Sequence, residues 1–220
     1  MLKRTFTTAV LAVAMLASAP LYAGNAGHAQ GPAAQPAAPS TVAYTPPTAE
    51  ESADMTFMRE EEKLARDVYL RLAETWDLAP FVAIAGAEQR HMNALLRLLT
   101  RYQLPDPAAG KLIGEFTDPE LQALHDALLA QGGQSPAAAL KVGALIEEVD
   151  IEDNAAAMSR TTKSDVSATY DNLLCGSRNH LRAFARTLET LTGQAYVAQV
   201  LSAERVGEIL ATPMERCAMR

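Results

Sequence analysis

From residue 54 onward, apolar side chains recur every three or four positions, and no run alternates at period two for long enough to form a strand. The chain reads as all-α. A first helix is expected from about Asp54 to Trp76, with Phe57, Leu64, Val68 and Leu72 on one stripe. A second, from about Phe81 to Tyr102, carries Phe81, Ile84, Leu95 and Leu99, and the stretch from Leu104 to Pro107 stops it. Asp118–Pro119, where Thr117 or Asp118 can cap, and Ser135–Pro136 each place a proline suited to a first helical turn behind a capping side chain. They open a short helix ending at Gly132–Gly133 and a long one reaching about Met158. A further helix spans Asp165 to about Leu191 and closes at Gly193, and a last short one covers Ala203 to Leu210. Four long helices, with a short one between the second and third, suggest a four-helix bundle. The segment from Gln103 to Gln134 would then carry the chain back along its length.

Ahead of this pattern the chain changes character. Lys3 and Arg4 precede an apolar stretch from about Ala9 to Ala17 and then small residues, which reads as a signal peptide over 1–23, with cleavage as late as 29. The apolar stretch is too short for a membrane span of ~20 residues. Residues 24–52 are rich in Ala, Pro, Gly, Gln and Thr and read as a flexible linker. The bundle is placed at 54–192, followed by a short helix and tail at 193–220. Export to the periplasm or beyond the cell is therefore expected. In that oxidising setting Cys175 and Cys217 permit one bridge between tail and helix, although two separate thiols fit the sequence nearly as well.

The 220 residues, 49% of them apolar, suffice for one substantial core, and the low aromatic share of 5% suits a bundle packed with Leu, Ala and Met. A net charge of −7 without any basic stripe argues against a nucleic-acid partner. Losing Lys3 and Arg4 with the leader would make it more acidic still. No helix opposes a basic face to an apolar one, which weakens a membrane-surface role.

The informative residues are the polar exceptions on the apolar stripes. Glu88 and His91 stand three apart at the centre of the second helix's stripe and so share one face. The last long helix repeats the step with Ser177 and His180, between Val166, Tyr170, Leu173 and Phe184, Leu188, Leu191. The first helix offers Glu60, Glu61 and Glu62. Glu60 reads as a solvated residue near the helix start, Glu61 lies on the stripe, and Glu62 lies at its edge, seven residues before Tyr69. The third long helix offers Glu147, in line with Leu140, Ala144 and Ile151, and Glu148 one step around. A second apolar line through Val142, Leu145, Ile146 and Val149 leaves the inward face open. Asp150, Glu152 and Asp153 add charge that is expected to be mostly solvent-facing. Buried acids and imidazoles are costly unless paired, and a metal ion offsets the cost for several at once. Such a mixed donor set suits iron, manganese or zinc.

Three stretches, Glu60 to Tyr69, Glu88 to Met92 and Gly176 to Phe184, resemble a bacterial and archaeal branch of the ferritin-like superfamily of di-iron carboxylate proteins. That branch is known only as a domain of unknown function. The resemblance implies a ferritin-like four-helix bundle with a dinuclear iron site. Glu62 (or Glu61), Glu88, His91, Glu148 (or Glu147) and His180 are similar to its ligands, and Tyr69 to its neighbouring tyrosine. Ser177 departs from the pattern, standing where a second bridging glutamate would be expected. A two-metal centre completed by water or by another acid such as Asp150, a single-metal site, and a metal-free polar relic are then the alternatives. The resemblance further implies O₂ or peroxide as partners of a ferroxidase-like oxidoreductase. A non-catalytic periplasmic metal-binding or scaffold bundle is the alternative, and homo-oligomerisation is left open.

Overall fold

Thr48 starts the first helix. Its hydroxyl accepts from the Glu51 amide at 3.0 Å, and the Glu51 carboxylate accepts from the Thr48 amide at 2.8 Å. This reciprocal cap begins α1 (Ala49–Trp76) earlier than the apolar stripe alone suggests, and helix replaces the last residues of the expected linker. The computed structural model describes residues 45–217. The expected leader at 1–23 and the linker before residue 45 lie outside the described residues.

The other elements are α2 (Ala79–Arg101), α3 (Pro119–Gly132), α4 (Pro136–Arg160), α5 (Ser164–Thr192) and α6 (Ala203–Ala211). Among the described residues the chain is all helix and no strand. Asp118 caps α3 by accepting from the Glu120 and Leu121 amides, and Ser135 caps α4 through the Ala138 amide. Gly193, at φ 70°, takes the left-handed conformation that closes α5.

Directions follow from the connections. Only Asp77 and Leu78 join α1 to α2, so the two are antiparallel neighbours, and Thr161–Lys163 turn α4 into α5 in the same way. Arg160, at the end of α4, pairs with Asp54 near the start of α1 at 2.8 Å, so α4 runs against α1. Therefore α2 and α4 point the same way, as the long crossover requires. In this helical bundle α1 packs on α2, α3 and α4, and α5 packs on α4, α2 and α6.

The crossover lies on α1. Arg59 pairs with Asp106, Lys63 donates to the Leu112 carbonyl at 2.7 Å, and Asp67 accepts from the Gly114 amide at 2.9 Å. Glu60, expected in solvent, is instead buried and accepts from the Thr117 and Asp118 amides at the head of α3. As a result Met58 to Ala65 are buried without a break, far more than one helical stripe.

Two apolar clusters fill the bundle. One contains Leu64, Val68, Leu72, Phe81, Leu140, Phe184 and Leu188; the other contains Met55, Met58, Leu95, Leu99, Val166, Tyr170 and Leu173. Along α1, α2 and α5 the metal-capable residues sit between the positions that feed these clusters. The core stripe of α5 stops at Leu188, because Leu191, expected inside, is 50% exposed past the end of the packing. A Cys175–Cys217 disulfide ties the tail to α5, which settles the pairing that the sequence left open. No described helix is long and apolar enough to cross a membrane.

Candidate metal centre

Four helices each send at least one donor into the layer between the two apolar clusters. Glu88 of α2 is the hub. Its Oε2 lies 2.8 Å from His91 Nδ1 on the same helix, and its Oε1 lies 2.8 Å from His180 Nδ1 on α5. Glu62 of α1 approaches His91 Nδ1 at 3.1 Å, and Glu147 of α4 approaches His180 Nδ1 at 3.4 Å. The two imidazole rings face each other with centroids 5.6 Å apart. The donors thus form two triads that share Glu88, Glu62–Glu88–His91 and Glu88–Glu147–His180, each with its ligand atoms within 4.8 Å of one another and all five residues buried.

The hydrogen bonding of this layer is incomplete. Glu62 Oε1, both oxygens of Glu88, Glu147 Oε2 and His180 Nδ1 are buried and make no hydrogen bond: the short contacts are close in distance but out of line. Leaving such groups unsatisfied costs roughly 1–3 kcal/mol each, more for charged ones. The orphaned atoms converge on the two triads, so the residues present fit a pair of divalent cations sharing Glu88. Carboxylate oxygen and imidazole nitrogen are donors for iron, manganese or zinc.

Charge follows the same plan. Burial would raise the Glu88 carboxyl, but His180 and His91 on either side hold it well below the usual range. Burial would lower His180, yet Glu88 and Glu147 push it up to about 10, and Glu62 and Glu88 likewise raise His91. Glu62 is pushed up to about 8 and Glu147 to about 7, in both cases first by burial and then by the nearby Glu88. Without metal, an ionised Glu88 therefore sits between two protonated histidines.

Two neighbours shape the layer. Tyr69 donates to Glu147 Oε1 at 2.7 Å, and burial followed by the Glu147 charge keeps its phenol protonated. The seven-residue spacing from Glu62 suggested that glutamate as its partner; the hydrogen bond goes to α4 instead. Gly176 makes room for His91, because a Cβ there would lie 2.5 Å from Cε1 and 2.6 Å from Nε2 of the ring. No sequence pattern pointed to this role, since a glycine before the Ser177–His180 step carries no polar signal.

The other candidates fall outside the triads. Glu148 accepts from the Tyr196 hydroxyl at 2.6 Å and from the Gln199, Val200 and Leu201 amides, so it anchors the segment after α5 and takes no part in the cluster. Glu61 points into a small apolar cavity beneath α3, which it shares with Asp150. Asp150, weighed both as part of a mostly solvent-facing charge run and as an acid that could complete the centre, is buried there without a hydrogen bond and belongs to neither triad. Burial first, and then Glu61 and Glu62, hold its pKa far above the usual range. Ser177 is buried and its hydroxyl donates to the Leu173 carbonyl at 3.1 Å, as a helix-interior serine does when no other acceptor faces it.

A cleft of about 870 Å³ between α2 and α5 reaches His91 and His180, with the tail residues Met214, Glu215 and Cys217 on one wall. Residues 51–213 match the family described as "Uncharacterized protein domain (DUF2202)". The chain belongs to that family. The DUF2202 match begins just inside α1 and takes in every donor of the two triads. The chain is 44% identical over 177 residues to the "Uncharacterized protein MJ0754" of Methanocaldococcus jannaschii, a match covering 80% of this chain and 95% of that one. The crystal structure of hypothetical protein MJ0754 superposes with a TM-score of 0.76 at 43% identity, covering 80% of this chain and all of that one. The likeness extends from sequence to fold.

Proposed function

We propose that this DUF2202 protein is an exported, ferritin-like metalloprotein. Its two triads hold a pair of iron ions and work as an oxidase that consumes Fe(II) with O₂ or peroxide. One observation carries the reading: the two oxygens of Glu88 each stand 2.8 Å from the Nδ1 of a different histidine, as a carboxylate does when it spans two cations. The antiparallel pairs α1/α2 and α4/α5, joined by a crossover that leaves α2 and α4 parallel, support the ferritin-like arrangement. The basic, then apolar, then small-residue start of the chain supports export.

When bound, two ferrous ions would supply one electron each to the oxidant. The protein's share is to hold and to shield. Glu62 with His91 would hold one ion, Glu147 with His180 the other, and Glu88 would serve both. Tyr69 keeps its proton and orients Glu147. The apolar clusters above and below close the layer at both ends and leave the cleft at His91 and His180 as its approach. Adding Fe(II) and O₂ or peroxide to the purified chain tests the reading. Oxidation should outrun the buffer blank and fall to it in His91→Ala; an equal rate in both proteins would refute it.

Ser177 favours a second reading. Its hydroxyl is turned away to the Leu173 carbonyl, which leaves three carboxylates where a fourth would be expected. The centre would then store or present metal without turnover. Stoichiometric binding of two ions by elemental analysis, with no redox activity, would select it.

A further inference from the structure

The cleft above the histidines has a chemistry of its own. Its interior is built from small and apolar side chains, among them Ile84, Ala87, Ala94, Leu173 and Gly176. Its volume of about 870 Å³ lies in the range of small-molecule sites, ~300–1,000 Å³. It extends along α2 from Leu78 to Arg97, a helix length of about 28 Å at ~1.5 Å per residue. That shape suits an extended molecule.

The rim carries two cations that nothing in the fold uses. Arg97 has no hydrogen bond or ion pair among the described residues, and Arg90 only donates to the Gly86 carbonyl of its own helix. By contrast Arg59, Arg101, Arg160 and Arg178 each hold a carboxylate. Two acids line the same cleft, but Glu215 is held by Arg178 and Arg182, and Asp77 lies at the other end, before the start of α2. In a chain of net charge −7, the two unclaimed arginines mark a place for a negative charge from outside. The opposite wall is fixed in place. Glu215 is gripped by Arg178 at Nη2 and by Arg182 at 2.8 Å, and the disulfide anchors Cys217, so Met214 is held at the cleft.

We propose that this cleft binds an organic anion with an extended apolar body, the carboxylate, sulfonate or phosphate class of head group resting on Arg90 and Arg97, close to His91, and the apolar body lying along the cleft past Ala87 and Ile84 toward Leu78. The inference deepens the reading of the metal centre by naming the kind of substrate that would reach it. Binding to the cleft needs no metal, so the two ideas fail separately.

Two dyes with the same aryl-amine body give the test: the sulfonate 1-anilinonaphthalene-8-sulfonate and the neutral N-phenyl-1-naphthylamine, titrated into the full chain with and without metal. The sulfonate should bind at one site at least tenfold more tightly than the neutral dye. Arg90→Ser with Arg97→Ser should abolish that advantage and leave the neutral dye unchanged. Both arginines are exposed, so the double variant keeps its fold, and circular dichroism checks it. Ala94→Phe, which fills the cleft between the two arginines and one turn from His91, should weaken both dyes. Equal affinity for the two dyes, an unchanged sulfonate affinity in the double variant, or unaffected binding in Ala94→Phe would each overturn the proposal. So would a dimer that Ala94→Phe dissociates, which would make a second copy the occupant. Dye binding that survives while elemental analysis finds no metal would sink the metal centre and leave the cleft standing.

Discussion

Replacing Gly176 by alanine adds one methyl group where the ring of His91 already lies. The new Cβ would stand 2.5 Å from Cε1, against the 3.4 Å or more of ordinary contact, so the ring must retreat by about 0.9 Å or α5 must move. The ring is held from behind by Glu62 at 3.1 Å and Glu88 at 2.8 Å, so retreat disturbs the donors themselves. Overpacking of this kind costs roughly 1–3 kcal/mol. Alanine in place of glycine returns about 1 kcal/mol of helix propensity. The metal-free variant should therefore lose between nothing and about 2 kcal/mol, a melting-temperature drop of up to about 8 °C for a chain of this size.

Metal affinity is the sharper readout. Ligand positions tolerate only about 0.2 Å, so a displacement several times larger should weaken binding by at least the 10–100-fold seen when supporting residues are lost. Gly207 supplies the control. It lies in α6 with nothing within 4 Å of a Cβ, so Gly207→Ala should match or exceed the native melting temperature and leave metal binding unchanged. Calorimetric titration with Fe(II) under anaerobic conditions, or with Zn(II), measures the affinities. A Gly176→Ala protein that binds metal within threefold of native would refute the close approach of Gly176 and His91 as the determinant.

Three further outcomes follow from the same contacts. At pH 7 the raised His91 and His180 (the latter to about 10) and Glu62 (about 8) hold protons that metal must displace. Affinity should thus rise with pH and fall on acidification, and titrations in buffers of different ionisation enthalpy should give at least two protons released, with fewer than one contradicting the assignment. Glu148→Gln should leave metal stoichiometry intact yet cost about 2–3 kcal/mol, because an amide cannot serve as acceptor for all the donors that the carboxylate satisfies; Glu147→Gln, one residue away, should do the reverse, and identical behaviour of the pair in denaturant and metal titrations would argue against both placements. Cys217→Ser opens a loop with a sequence separation of 42, worth up to about 4 kcal/mol in chain entropy, and an unaltered melting temperature would mean that the tail is held by Glu215 alone.

The helices were legible because each carries a real 3.6-residue period, and Glu88, His91 and His180 stood out because α2 and α5 bury one narrow stripe. The glutamates of α1 and α4 did not separate so cleanly, and the fold shows why. The crossover blankets α1, so Glu60, Glu61 and Glu62 are all buried, each toward a different neighbour. The outer side of α4 is covered by α3, which makes the line through Val142 and Ile146 as buried as the line through Leu140, Ala144 and Ile151. Two buried lines erase the contrast on which an inward-face reading depends. Asp150 was left between the solvent side and the metal centre for the same reason. The partner of Tyr69 could not be read because it depends on the spacing of α1 from α4, which no local pattern encodes.

The serine at 177 bears on the charge that faces the open cleft. Gly176, the residue before it, puts the least bulk on α5 beside His91, at the wall of the cleft. Two divalent cations against Glu62, Glu88 and Glu147 leave one unit of positive charge facing that opening, and in a buried layer such a charge attracts an anion strongly. A fourth carboxylate would cancel it. Ser177→Glu should accordingly tighten metal binding while weakening the sulfonate dye in the metal-loaded protein by at least tenfold, with little effect on the dye in Arg90→Ser/Arg97→Ser. The variant's circular dichroism and melting curve check that the added side chain is accommodated. If the loaded variant binds the sulfonate as tightly as native, the residual charge of the centre is not what draws an anion inward, and the arginines act alone.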